Sequence, residues 1–115
     1  MNQIDEYLKQ VILRNGSDLH FIAGEPPRAR IYGELAILAP ETLAASKVEA
    51  ALQEIMAQKA RDEFQRRDSA DFAYGLESTA RFRVNVFRHV GGTGAVFRAI
   101  PSQAKTIADL KMPPV

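Results

Sequence analysis

The segment from Ala80 to Ile100 constrains the fold more than any other part of this sequence. Its first half alternates polar residues with apolar ones, the two-residue period of a strand that buries one face. The apolar residues are Phe82, Val84 and Val86. Glycines at 91, 92 and 94 follow, and a strand pattern resumes from Ala95 to Ile100. The sequence therefore predicts two strands joined by a glycine-rich hairpin turn.

Helical spacing of apolar residues is found on the N-terminal side of this hairpin. A helix is predicted from Ile4 to Leu13, and Asn15-Gly16 is expected to end it because glycine accepts the left-handed conformation. Ser46 and Glu49 have the spacing of a capping box, which predicts a second helix that begins at this serine. A third, short helix is predicted from Lys59 to Arg67.

Shorter patterns predict the remaining strands. Ser17 to Ile22 alternates, and Arg28 to Leu38 is predicted to form two strands around a turn at Gly33-Glu34. Asp71 to Leu76 is a further strand candidate. The order of helix, strands, helices and strands predicts an α+β fold, in which an antiparallel sheet carries helices on one side.

Composition narrows the class of protein. The 115 residues contain no cysteine, so a disulfide framework and a thiolate metal site are excluded, and no metal site is predicted. The formal net charge is +1, and we expect no nucleic-acid partner. No apolar stretch has the length of a membrane span or a secretory signal, so a cytoplasmic location is expected. Residues 1–100 are expected to form one domain, and the proline-containing tail 101–115 is expected to be a linker.

Positive charge is concentrated near the C-terminal end. Between Ser78 and Ala108 there is no acidic residue. Five basic residues fall in this stretch: Arg81, Arg83, Arg88, Arg98 and Lys105. The planar guanidinium group suits phosphate and carboxylate, so arginines on paired strands indicate an anionic partner. A solvated strand face, with arginine stems covering apolar surface, is the alternative at this point.

Two motifs that resemble catalytic sites are better explained by structure. Gly91 to Gly94 is followed by a strand pattern, whereas a Walker A loop needs Lys and Ser or Thr before a helix. Ser17, Asp18 and His20 lie on one short strand, where neighbouring residues face opposite sides, so they do not form a catalytic triad. Asp18 and His20 share a face and are candidates for structural hydrogen bonding, or for a role at an interface or next to a nucleotide. The chain by itself is not expected to hydrolyse a nucleotide.

Three segments together resemble one protein family. They are GSDLHFIAGEPPRARIYGEL at 16–35, ARFRVNVFRHVGGTGAVFRAIP at 80–101 and the tail TIADLKMPPV. In sequence, order and spacing they resemble the N-terminal domain of PilT-type pilus retraction ATPases. The resemblance implies a PAS-like domain joined by a flexible linker to a RecA-like core that carries the Walker motifs.

The resemblance also implies a function and an assembly. Members of the family are cytoplasmic homohexamers at the inner-membrane base of the pilus machine, where they contact a platform protein. They hydrolyse ATP with Mg²⁺ to disassemble pilin, which produces twitching motility. ATP lies in the cleft between the two domains of the subunit, and arginines of the N-terminal domain reach its phosphates.

The family pattern assigns roles to particular arginines of this chain. The arginine of the FRVN segment is Arg83 and that of VFRAIP is Arg98, which the resemblance implies are arginine fingers that contact the ATP phosphates. Arg81 is a third candidate for phosphate binding. The chain departs from the family at Tyr32-Gly33, which replaces an aspartate-glycine turn, and at 87–89, so the role of Arg88 is open.

Two alternatives to a retraction ATPase stay open at this point. The first is the N-terminal domain of a type II secretion or pilus-extension ATPase, which shares the arginine pair. The retraction branch is favoured because the helix at Ile4 leads directly into the SDLH motif without a preceding domain. The second is a free-standing PAS-like sensor or binding module, which would bind a small ligand as an isolated domain.

Overall fold

The computed structural model describes residues 3–76 and 80–100, which contain three helices and six strands. In chain order these elements are α1 (Gln3–Leu13), β1 (Gly16–Ile22), β2 (Arg28–Ile31), β3 (Glu34–Ile37), α2 (Ala45–Ile55), α3 (Gln58–Arg67), β4 (Ser69–Leu76), β5 (Ala80–His89) and β6 (Gly92–Ile100). Every helix and strand predicted from the sequence within these ranges is present. The predicted linker at 101–115 lies outside the described residues.

The six strands form one sheet in the order β3-β2-β1-β6-β5-β4, and every neighbouring pair is antiparallel. The N-terminal strands β1 to β3 and the C-terminal strands β4 to β6 each form a meander, and these meet where β1 pairs with β6. The helices cover one face of this sheet. The predicted α+β architecture, an antiparallel sheet with helices on one side, is confirmed.

The core lies between the helices and the covered face of the sheet. Alternation along β5 and β6 places Phe82, Val84 and Phe97 on this face, fully or almost fully buried. Helix α1 contributes Ile4, Leu8 and Val11 from three successive turns of one side. Helices α2 and α3 complete the core with Val48, Leu52, Ala60 and Phe64. Burying such apolar side chains is the main force that holds the helices on the sheet.

Two hairpin turns begin one residue before the predicted position. The turn between β2 and β3 is Tyr32-Gly33, not Gly33-Glu34, and both residues have positive φ, 51° and 83°. Two-residue turns with this conformation match the twist of the adjoining strands. The turn between β5 and β6 is Val90-Gly91, because pairing continues from Phe87 opposite Gly94 to His89 opposite Gly92. Strand β6 therefore begins three residues before Ala95, and most of the glycine-rich stretch is strand.

Two predicted helix boundaries have a different physical basis. After α1 the left-handed residue is Asn15, with φ of 57°, whereas Gly16 already belongs to β1. A Cβ atom at Gly16 would lie 3.0 Å from the carbonyl oxygen of Arg30, so this glycine permits close approach of a strand.

The capping box predicted at Ser46 and Glu49 is wrong. Helix α2 begins at Ala45, and its N-cap Ala44 makes no side-chain capping bond. The Glu49 carboxylate instead accepts a hydrogen bond of 2.8 Å from the hydroxyl of Thr93, which is 4% exposed on β6. A tertiary contact between α2 and β6 thus takes the place of the local cap.

One polar contact joins α1 to the edge strand β4. The hydroxyl of Tyr74 donates a hydrogen bond of 2.6 Å to the carboxylate of Asp5. Burial raises the pKa of Tyr74, and the hydrogen bond to Asp5 raises it further, so this hydroxyl stays protonated and donating at neutral pH. The ring of Tyr74 also lies edge-on against Phe97, with 6.4 Å between the ring centroids.

We expect the Tyr74→Phe variant to be destabilised by about 1–2 kcal/mol, because a charged acceptor in a partly buried position loses its donor. Urea unfolding followed by circular dichroism measures the change. Tyr7→Phe is the matched control, since the Tyr7 hydroxyl accepts only an exposed bond of 3.2 Å from Gln3. Equal stabilities of the two variants would contradict a role of the Tyr74 hydroxyl in holding α1.

Candidate functional site

The face of the sheet opposite the helices carries most of the candidate site residues. We call it the open face and define it by eight residues that share it on four adjacent strands: Arg83, Asn85, Val96, Arg98, Asp18, His20, Arg28 and Arg30. They share a face because strand residues two apart point the same way and paired residues lie side by side. The described helices all pack against the other face.

Arg83 and Arg98, the two predicted arginine fingers, are brought together by the β5–β6 register. They are direct cross-strand partners, and both are exposed. Cβ atoms of such partners are about 5 Å apart, so two positive side chains start side by side. No ion pair joins Arg83 to any residue within the described part of the chain. Two exposed arginine side chains whose Cβ atoms are this close are suited to binding one polyanionic group.

Arg81, the third predicted phosphate ligand, lies two positions before Arg83 on β5. It pairs with Gly75 on one side and with Ile100 on the other. It is exposed and faces the same way as Arg83, because two positions separate them. Arg81 therefore lies opposite the last residue of β6, two positions from the Arg83–Arg98 pair. The structure thus places all three candidate arginines on one face, with two of them at a single register.

Arg88 is separated from these arginines by its orientation. Its Nε lies 3.1 Å from a carboxylate oxygen of Asp68, and its guanidinium carbon lies 4.3 Å from the ring centroid of Phe64. Both partners belong to the C-terminal end of α3 on the helical side of the sheet. Arg88 therefore contacts α3 on the helical side and does not share the open face with Arg83 and Arg98.

Two cavities of about 340 and 420 Å³ lie where β4, β5 and β6 meet, and Arg83 lines both. Four open-face residues line the first cavity: Arg83, Asn85, Val96 and Arg98. Asp71 and Val84 complete its lining. The Asn85 side chain donates a hydrogen bond of 3.1 Å to Asp71 at its margin. The cavity places both arginines beside a concave surface that is lined by polar and apolar side chains.

Asp18 and His20 share the open face as predicted, but the contacts of Asp18 were missed. Its carboxylate lies 3.3 Å from Nε of Arg30 and 3.5 Å from Nε of Arg98. Asp18 as a whole is 7% exposed, which is the lowest exposure of a charged residue in the described ranges. Local sequence gives no sign of this arrangement, because it requires β1 to lie between β2 and β6.

His20 is half-buried beside these charges. Burial lowers the pKa of His20, and the positive charges of Arg30 and Arg28 lower it further, against the opposing effect of Asp18 and Glu25. At neutral pH the lowered pKa therefore favours the uncharged imidazole of His20 in the folded protein. The second histidine, His89, lies at the end of β5, where its Nε2 is 3.8 Å from the Glu25 carboxylate.

Among residues 3–76 and 80–100, no group of three or more His, Cys, Asp or Glu side chains is placed to hold a metal ion. Within those ranges, none of the helices combines the length and the apolarity that a membrane span requires.

Comparison with known proteins identifies relatives by sequence. No protein-family model matches the chain. The chain is 38% identical over 109 residues to the type IV pilus retraction ATPase PilT of Pseudomonas aeruginosa, covering 95% of this chain and 32% of that protein. It is 26% identical over 113 residues to the type IV pilus ATPase PilU of the same organism, covering 98% and 30%. The chain spans about a third of the length of these curated relatives.

Solved structures agree with the sequence relatives. The crystal structure of the pilus retraction motor PilT with bound ADP superimposes with a TM-score of 0.82 at 30% identity, covering 96% of this chain and 32% of that one. The ATPase DotB of Legionella pneumophila superimposes with a TM-score of 0.76 at 23% identity, covering 96% and 31%. The likeness to DotB concerns the fold.

The lowered pKa of His20 predicts a pH dependence of stability. The unfolded chain takes up a proton at His20 near the ordinary pKa, whereas the folded chain takes it up at lower pH. Stability should therefore fall as pH decreases from about 7 towards 5. In His20→Gln this part of the loss should disappear, as measured by thermal unfolding across the pH range. His89→Gln retains His20 and should still show it; an identical pH profile for His20→Gln and wild type would contradict the assignment.

Proposed function

The chain belongs to the PilT-type family of pilus ATPases, aligning with their N-terminal region, and from this premise we propose that it is the N-terminal domain of a pilus retraction ATPase. In this proposal the domain supplies Arg83 and Arg98 to the phosphates of ATP. The nucleotide is held mainly by a RecA-like core that follows the linker at 101–115. Residues 1–100 are the PAS-like domain of that longer protein.

The observation that carries the proposal is the cross-strand pairing of Arg83 with Arg98 on the open face. Two like charges placed directly opposite each other destabilise a sheet unless an anion lies between them. The terminal phosphate of ATP supplies such an anion, and the fork of donors on each guanidinium group fits its oxygens. The paired strands hold the backbone of both arginines at a fixed separation, from which both side chains can reach one phosphate.

The remaining parts of the ATP site belong to the proposed core. Mg²⁺ and the Walker motifs would lie there, and the open face would close the cleft from the other side. When bound, Mg²⁺ would neutralise negative charge on the phosphates. Arg83 and Arg98 would place positive charge next to the negative charge that develops on the terminal phosphate during transfer. Loss of that phosphate would weaken the contact between the two domains, so hydrolysis would change their relative position.

The same proposal extends to assembly and location. The subunits would form a homohexamer in the cytoplasm, peripheral to the inner membrane at the base of the pilus machine. There the motor would act with a platform protein to disassemble pilin and produce twitching motility. The name of the relative PilT, a pilus retraction ATPase, supports retraction over the alternative of extension or type II secretion.

We expect the gene to continue beyond Val115 into a core with a Walker A motif, since the matched relatives are about three times longer than this chain. In that full-length protein, Arg83→Ala or Arg98→Ala should reduce ATPase turnover at least about tenfold, because arginine fingers contribute roughly 10³ to 10⁵ in related hydrolases. Steady-state phosphate release measures the effect.

Arg88→Ala is the matched control, because this arginine lies on the same strand but points to Asp68 and Phe64. Its turnover should stay within about twofold of wild type, since exposed ion pairs contribute at most about 1 kcal/mol to stability. Size-exclusion chromatography checks that every variant keeps the assembly of the wild type. Near-normal turnover in both Arg83→Ala and Arg98→Ala would remove the proposed role of the open face.

A further inference from the structure

A row of four charged side chains crosses the open face at one register. Strand pairing places Arg83 opposite Arg98, Arg98 opposite Asp18, and Asp18 opposite Arg30. The order of charges is therefore positive, positive, negative, positive across four neighbouring strands. Asp18 is the acidic member of this row, and its side chain is 11% exposed.

The two arginines that share Asp18 are held differently. Arg30 pairs with the carboxylate through Nε at 3.3 Å, and its Nη1 also donates a hydrogen bond of 3.0 Å to the carbonyl oxygen of Gly33. The Nε of Arg98 lies 3.5 Å from the carboxylate, and the side chain of Arg98 is 72% exposed, compared with 40% for Arg30. Arg30 thus has a second polar contact and less exposure, so Arg98 is the arginine that can leave the carboxylate at lower cost.

A buried carboxylate that loses all of its cationic partners is strongly destabilised. Because Arg30 stays in place, Asp18 keeps one partner when Arg98 turns towards another anion. The carboxylate also offsets the repulsion between Arg98 and its neighbour Arg83 when no other anion is present. Asp18 therefore has the position of a counter-anion beside the arginine pair.

We propose that Asp18 competes with the bound phosphate for Arg98, and that Arg30 retains Asp18 when Arg98 is released to the phosphate. The identity of that phosphate as the terminal group of ATP rests on the function proposed above. A weakly charged anion cannot replace the carboxylate, whereas a multiply charged phosphate chain can. Asp18 thus determines the specificity of the arginine pair for polyphosphate over simple anions and permits release once charge is lost.

Inorganic tripolyphosphate tests the proposal on the 115-residue chain by isothermal titration. Asp18→Asn keeps the shape of the side chain and removes its charge, so tripolyphosphate should bind about tenfold more tightly than to wild type. Simple sulfate should gain affinity by a larger factor, so the preference for tripolyphosphate over sulfate should shrink. Adding Arg98→Gln to Asp18→Asn should abolish the gain.

Asp62→Asn is the matched control for net charge, because Asp62 lies on α3, on the helical side of the sheet, where its carboxylate accepts a hydrogen bond of 2.8 Å from Gln58. It should tighten tripolyphosphate binding at most about threefold, through long-range charge alone. Arg30→Gln is the opposite variant, since it leaves Arg98 as the remaining partner of Asp18 in this row. It should weaken binding relative to wild type.

Each outcome decides the proposal. Weaker or unchanged binding in Asp18→Asn would overturn it, as would an equal gain in Asp62→Asn or undetectable binding in every variant. Circular dichroism confirms that each variant is folded before titration. The test is independent of ATPase activity, so a failure of the arginine mutants in the full-length motor would remove the proposed function without deciding the competition at Arg98.

Discussion

The antiparallel pairing of β5 with β6 is the constraint on which the rest of the structure depends. Nine residue pairs fix its register, from Arg81 opposite Ile100 to His89 opposite Gly92. Because side chains alternate along both strands, this register sends Phe82 and Phe97 into the core and Arg83 and Arg98 outwards. A shift of the register by one residue would exchange the two faces of these strands. Burial of the core and exposure of the two arginines therefore depend on the same register.

The sequence predicted this part well because its information is local. Alternation alone located the two strands, and two-residue spacing placed Arg81 and Arg83 on one face. The ion pairs of Asp18 were not predictable in this way, because they depend on β1 lying between β2 and β6. Strand order in a sheet is set by non-local burial, and no feature near Asp18 in the sequence reports it.

The failures at local boundaries have the same origin. The capping box at Ser46 fits the sequence, yet Glu49 bonds to Thr93 on β6. A tertiary hydrogen bond to a buried hydroxyl wins over a local cap worth about 1 kcal/mol. Tyr32 adopts positive φ although its side chain gives no preference for it, because the hairpin between β2 and β3 requires a twisted two-residue turn.

Charge composition alone overestimates the site, and strand orientation corrects it. Arg83 and Arg88 lie on the same strand, but Arg88 stacks on Phe64 and pairs with Asp68 on the helical side. The stabilising contacts lie on the helical side of the sheet. The open face therefore tolerates adjacent like charges, although these destabilise strand pairing. Asp18, buried at the centre of that face, limits the repulsion while Arg98 is unliganded. Under the proposed function, an anion that joins Arg83 and Arg98 would remove the remaining repulsion, so the charge of the ligand would be coupled to the docking of another surface.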